Sequence, residues 1–347
     1  MGRGHNHEVK RLCKEFGFSA VMLKDSFAEG IKEDMKQKLL FHVGLHKTGT
    51  TSLQQDFFIP DNKFLQHPKG RLFWLPIFVN KFSTEPLSIN DKSTVQRFAK
   101  LASESNLIPV VSHERLSGYP ISGGYDRLSI YRRIASLDLD VKILFVMREQ
   151  KSWLYSTWRQ MITDGGSIRL KKFLIQKPSE SNVRLPGPRY EHLNYLSAIE
   201  TLSSIFGREN VLVFPFELIV SKFSSFIENL GSLLEEDLTK VSETKPTHRN
   251  ARKTLTQFYV QWAVNRFLVS STTSPKGLIP RSTKIGKTIR VGSAELSQLL
   301  PEVPYADAII KGHKQIITDT VGSYFADSNK SSAEMLGIDL ASLGYDV

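Results

Sequence analysis

The chain has 347 residues, 40% of them hydrophobic, with one cysteine (Cys13) and a net charge of +11 at pH 7. These figures describe a globular protein with a sizeable core, exclude an internal disulfide and a cysteine-built zinc site, and favour anionic partners: nucleotides, acidic glycans, nucleic acid or a membrane surface. The opening residues, MGRGHNHEVKRLCKEFGF, hold no apolar stretch of signal-peptide length, and the densest apolar run, residues 143–147, is too short to cross a bilayer, so a soluble, cytoplasmic protein with no transmembrane segment is expected.

Val9, Leu12 and Phe16, then Phe27, Ile31 and Met35, recur at helical spacing, which predicts a helical extension over 1–37 ahead of a single domain over 38–347. LLFHV (39–43) reads as a strand, followed by a glycine loop and a helix from Thr51 onward. The alternation continues: a helix near 91–105 leads to LIPVV (107–111), one near 127–136 to VKILFVM (141–147), and one near 191–206 to NVLVFPF (210–216). Strands apolar on both faces between helices of this length predict an α/β fold, a central parallel sheet flanked by helices, with ligands at the carboxyl ends of the strands. Residues 117–125, 164–188 and 270–290 read as loops or lids, and the chain from Lys253 reads as helices packed on the sheet. No internal repeat interrupts this order.

GLHKTGTT (44–51) spaces Gly44 and Gly49 as a phosphate loop does, but Thr50 stands where a nucleotide-hydrolysing loop carries its lysine. The glycines let successive backbone N–H groups turn toward an anion, Thr50, Thr51 and Ser52 add hydroxyls, and Lys47 sits in mid-loop beside His46 and Thr48. None of the other apolar strands ends in the acidic residue that would help hold Mg²⁺, so the loop reads as metal-free and no metal ligands are assigned. FVMREQKSWLYSTW (145–158) places Arg148 at a strand end and Ser156 eight residues on, and an arginine there can grip a phosphate bidentately. PVVSHERLSG (109–118) offers His113 and Glu114 as bases after a neighbouring strand. The histidine is preferred, since neutral imidazole needs no tuning near pH 7. THRNARK (247–253) is a basic loop opening a helix.

KTGTT after an apolar strand resembles the 5′-phosphosulfate loop of the sulfotransferases that use 3′-phosphoadenosine 5′-phosphosulfate (PAPS), and the Arg148 and Ser156 pair resembles that family's 3′-phosphate site. RYEHLNYLSAIETLSSIFGRENVLVFPFELI (189–219) and YFADSNKSSAEMLGIDLASLGYDV (324–347) resemble later parts of bacterial sulfotransferases, so the likeness spans roughly 38–347. It implies the P-loop NTPase-like fold of that family. It also implies Lys47 at the transferred group and Gly49, Thr50, Thr51 and Ser52 around the 5′-phosphate. Thr48 is counted with the cofactor-binding loop, and His46, next to Lys47, is a further candidate whose imidazole could help stabilise the departing phosphate oxyanion. Arg249, Asn250 and Arg252 would lie near the 3′-phosphate or adenine. The family's arginine-lysine-glycine pattern is absent there, and Ser52 replaces its adenine-stacking tryptophan.

The expected activity is transfer of a sulfuryl group from PAPS, without metal, to an acceptor hydroxyl on a carbohydrate or glycolipid. Arg169, Lys171, Lys172, Lys177, Lys276 and Lys284 in the long loops suggest an anionic or polyhydroxy acceptor. Two other readings stay open: a nucleotide kinase or NTPase with a degenerate loop, and a basic nucleic-acid-binding protein, although no helix-turn-helix, zinc or RNP-type signature is present.

Overall fold

The computed structural model describes residues 14, 16–17, 36–79, 85–119, 125–175, 188–241, 253–269 and 277–347. The helix expected over 1–37 lies mostly outside them. Phe16 is 3% exposed and meets Phe73 and Phe98 edge-on, so at least this residue belongs to the main core.

Five strands, β1 (Lys38–His42), β2 (Phe64–Gln66), β3 (Ile108–Ser112), β4 (Asp140–Met147) and β5 (Val211–Pro215), form one sheet in the order β2-β3-β1-β4-β5, every pair parallel. Their unbroken apolar runs follow from burial on both sides. Leu40, Val110, Leu144 and Val146 face one core, while Leu39, Phe41, Val111, Ile143, Phe145 and Met147 face the other. Truncating a side chain as enclosed as Phe41 or Phe145 costs about 3–5 kcal/mol.

The first core is closed by α1 (Thr50–Ser52, continuing as a π-helical turn over Leu53–Phe57), α8 (Phe216–Ser221) and α9 (Phe223–Leu234), through Leu53, Phe57, Phe226 and Leu230. The second is closed by α3 (Ile89–Glu104), α4 (Arg127–Ala135), α5 (Gln150–Thr163) and α7 (Tyr195–Phe206). Ahead of α3 lies the short α2 (Arg71–Trp74). The carboxyl-terminal third adds α10 (Leu255–Asn265), with α11 (Lys284–Leu299) packed against it, then α12 (Ala306–Val321) and α13 (Ala326–Leu336); α10, α12 and α13 lie on that second side, where Phe258, Ile317 and Phe325 are buried.

The structure departs from the sequence reading in three places. Edge strand β2 is only three residues long, too short to show a period. The segment 164–188 contains a helix, α6 (Leu170–Leu174), because Leu170, Phe173 and Leu174 recur at helical spacing and are buried. The segment 270–290 is helical from Lys284, capped by Thr283, whose hydroxyl accepts from Gly286 N–H. No helix among the described residues is long and apolar enough to cross a membrane.

Candidate active site

β1 and β4 are neighbours, yet the helices that follow them, α1 and α5, pack on opposite faces of the sheet. The backbone parts at their carboxyl ends and leaves a crevice, where open α/β sheets take ligands. The cleft there measures about 1730 Å³. His46, Lys47, Thr48, Gly49, Thr50, Thr51 and Ser52 line it, with His113 and Glu114 from beyond β3, Arg148 from beyond β4 and Ser156 from α5. Segments a hundred residues apart in the sequence therefore share one space. Arg249, Asn250 and Arg252 lie outside the described residues.

The amides of Val43 and Leu45 still donate to Leu144 O (2.9 Å) and Val146 O (3.4 Å), so the loop leaves the sheet only after Leu45. Lys47 and Gly49 then take φ values of 67° and 78°. The turn is thus made by Lys47 and Gly49, whereas Gly44 supplies room: a Cβ there would stand 2.7 Å from Nε2 of the buried His42. Gly49 meets both demands, since a Cβ would also come within 2.8 Å of the Phe216 ring. Thr48 Oγ1 donates to Leu45 O at 2.5 Å, and Trp153 Nε1 to His46 O at 2.6 Å. Thr50 is 6% exposed, and among the described residues its Oγ1 has no hydrogen-bond partner. A bound oxyanion would satisfy that hydroxyl.

Arg148 ties the loop over 46–52 to the segment that follows β4. Its Nη1 donates to Lys47 O at 2.7 Å, and its guanidinium stands over the Phe216 ring, 5.2 Å from the centroid. Tyr195 Oη donates to Arg148 O at 2.5 Å; burial pushes this phenol far above its ordinary pKa, so it stays a donor. The Glu149 carboxylate caps α5 by accepting from Lys151 N–H (2.7 Å) and Ser152 N–H (2.6 Å). Glu149 N–H donates to Glu217 Oε1 (3.0 Å), and Tyr345 Oη to Glu217 Oε2 (3.1 Å). Further bonds pin the start of α5: Gln150 Nε2 donates to Asn329 Oδ1 (2.6 Å), and Lys151 pairs with Asp346 (2.5 Å).

At the far side, His113 Nδ1 accepts from Arg115 N–H at 2.8 Å, which assigns the proton of the neutral ring to Nε2. The His113 side chain is 4% exposed, that of Glu114 28%. Burial holds His46 as neutral imidazole, its pKa lowered to about 4 although Glu114 nearby pulls it up. Lys47 Nζ donates to Gln160 Oε1 (3.3 Å), and Gln160 Nε2 to Asp164 Oδ1 (2.9 Å).

Arg169, Lys171, Lys172 and Lys284 do not line the cleft, and Lys177 and Lys276 lie outside the described residues. The cations that do line it, besides Lys47 and Arg148, are Arg115, Lys151, Arg159, Lys253 and Lys314. Arg115 and Lys151 stand within the motifs around His113 and Arg148, whereas the positions of Arg159, Lys253 and Lys314 depend on how α5, α10 and α12 pack, which no local motif announces. Phe216 and Gln160 also escaped the sequence reading. Phe216 carried one signal, an aromatic at the carboxyl end of a buried strand run, and Gln160 carried none beyond its place one turn after Ser156.

No family model matches the chain, and neither does any curated protein. Among solved structures, a sulfotransferase from Alicyclobacillus acidocaldarius is similar with a TM-score of 0.42 and 19% identity, over 65% of this chain and 92% of that one.

Proposed function

We propose that the protein is a sulfotransferase that moves a sulfuryl group from PAPS to an acceptor hydroxyl on a carbohydrate or glycolipid, without a metal ion. The observation that carries this reading is the meeting of loop 46–52 with Arg148 and Ser156 in one cleft, joined by the bond from Arg148 Nη1 to Lys47 O. The residues suit the donor. The unpartnered buried hydroxyl of Thr50 and the left-handed turns at Lys47 and Gly49 suit the 5′-phosphate, and the guanidinium of Arg148 suits the 3′-phosphate. The exposed part of Phe216, beside Gly49, offers an aromatic surface in place of the tryptophan missing at Ser52.

When bound, PAPS would supply the activated sulfuryl group and leave as adenosine 3′,5′-bisphosphate. Lys47 would neutralise charge growing toward the 5′-phosphate, and His46, neutral at pH 7, would donate a hydrogen bond there. Thr48, Gly49, Thr50, Thr51 and Ser52 form the phosphate cradle. Arg249, Asn250 and Arg252 keep the place the resemblance gives them, near the 3′-phosphate or adenine. For the base we favour Glu114 over the His113 expected from sequence. With Nδ1 engaged by the Arg115 amide, the neutral His113 ring has no second lone pair to take a proton, whereas a Glu114 carboxylate accepts one at either oxygen.

Calorimetric titration with adenosine 3′,5′-bisphosphate, 5′-AMP and ATP tests the reading, with EDTA present for the first two and Mg²⁺ for the third. Tight metal-free binding that requires the 3′-phosphate is the expected result. Binding to ATP with Mg²⁺ alone would favour the kinase reading instead, and salt-sensitive binding without preference for PAPS or its product would favour the nucleic-acid reading.

A further inference from the structure

The Lys47 side chain reaches away from its own loop toward α5. Its backbone is fixed by the left-handed φ of 67° and by the bond that Arg148 makes to its carbonyl, so only the side chain can move. Nζ donates to Gln160 Oε1 at 3.3 Å, one helical turn beyond Ser156. A lysine ammonium has only donors, so it can meet the oxygen of a carboxamide and never the nitrogen. Which atom Gln160 presents is decided on its other side. Asp164 Oδ1 accepts from Gln160 Nε2 at 2.9 Å, and a carboxylate accepting there turns Oε1 toward Lys47. Asp164 is itself tethered, its main-chain carbonyl accepting from Arg281 Nη1. Burial raises the pKa of its carboxyl above the ordinary value, opposed by the Gln160 hydrogen bond and by the charges of Arg281, Lys47 and Lys253.

We propose that Gln160, oriented by Asp164, is the positioning residue for the Lys47 ammonium: it holds one N–H donor and aims the others at the oxygens of the transferred group. The proposal rests on the sulfotransferase reading for its role in turnover, while the contact itself does not. The amide is neutral, so an anionic donor oxygen competes well for the lysine, and Gln160 directs Nζ without trapping it. An unaimed ammonium at the end of a four-carbon stem would spread over several rotamers, and the loss would fall on the step where charge develops.

Two measurements test this. Competitive acylation of the ligand-free protein, read at each lysine by mass spectrometry, reports how firmly Lys47 is held as ammonium. Gln160→Leu is expected to raise Lys47 labelling roughly five- to tenfold and the other lysines not at all, which certifies the fold, and Asp164→Asn to raise Lys47 labelling by a smaller factor while also affecting Lys253, which faces the same carboxyl. Equal Lys47 labelling in wild type and Gln160→Leu would overturn the proposal. The second measurement is titration with adenosine 3′,5′-bisphosphate followed by turnover on an identified acceptor. Gln160→Leu should bind the nucleotide within about threefold of wild type and lose roughly tenfold in kcat at unchanged donor KM, with no added loss on a Lys47→Ala background. A raised donor KM with kcat intact would overturn it. If wild type fails to bind the nucleotide while Lys47 labelling still responds to Gln160, the role in sulfuryl transfer falls with the enzymatic reading and only the contact stands.

Discussion

Arg148→Ala separates two effects that one side chain combines. The first is structural. The guanidinium bond to Lys47 O, at 2.7 Å and partly buried, is a hydrogen bond from a charged donor, of the kind that contributes roughly 1.5–3 kcal/mol. The contact with Phe216 adds about 0.5–1 kcal/mol. Only part of this reaches ligand affinity, because the loop is also held by Thr48, Trp153 and the Val43 and Leu45 amides. A tenfold loss, about 1.4 kcal/mol, is therefore expected for any nucleotide seated in the loop. The second effect concerns the 3′-phosphate alone, where losing a charge-assisted pair should remove a further 2–3 kcal/mol or so, a factor of roughly 30 to 150. Calorimetry on wild type and variant, with adenosine 3′,5′-bisphosphate and with 5′-AMP, reads both at once. The ratio of the two affinities should fall by that second factor, and Arg148→Lys should recover only part of it, since an ammonium cannot form the two-pronged contact. If both ligands weaken equally, Arg148 only shapes the loop and the 3′-phosphate assignment is refuted.

Three other outcomes are expected. Thr50→Val should leave stability unchanged or raise it by up to about 1 kcal/mol in urea unfolding, because it removes a buried hydroxyl that has no partner, yet weaken 5′-AMP about tenfold; unaltered affinity would mean that this hydroxyl does not face the phosphate. Glu114→Gln should lower kcat at least a hundredfold with nucleotide affinity preserved, while His113→Asn, which can still accept from the Arg115 amide, should keep most turnover; the reverse ranking would return the base to the histidine. His192 is buried, neither ring nitrogen has a hydrogen-bond partner among the described residues, and desolvation lowers its pKa to about 3. The unfolded chain binds this proton below pH 6.5 and the folded chain does not until about pH 3, so stability falls as pH drops through that window, by about 2 kcal/mol between pH 7 and pH 5 from this residue. In urea melts at both pH values, His192→Leu should remove that share of the pH dependence, and an unchanged dependence would contradict it.

The sheet was legible because its strands are enclosed on both faces and carry unbroken apolar runs, as in residues 143–147, whereas β2 offered three residues and no period. The loop was legible because glycine at position 49 answers a backbone requirement, although the same pattern did not reveal that Lys47 shares the left-handed turn and that Gly44 only makes room for His42. Arg148 and Ser156 could be found since one strand and its following helix carry both. The rest of the cleft wall could not. Lys253 and Asp346 arrive from separate elements through tertiary packing, and their neighbours in sequence give no hint of it.

The bracing of α5 has a consequence for how the protein is made. Gln150 and Asn329 are 179 positions apart, and Lys151 waits for Asp346. All five strands and the glycine loop have been synthesised long before those partners emerge from the ribosome. During that interval α5 rests on the glycine loop through Trp153 and on Glu217 through Glu149, without these two braces. The final seating of α5 is accordingly a late event in biosynthesis, and a chain released before residue 329 would lack both of these braces.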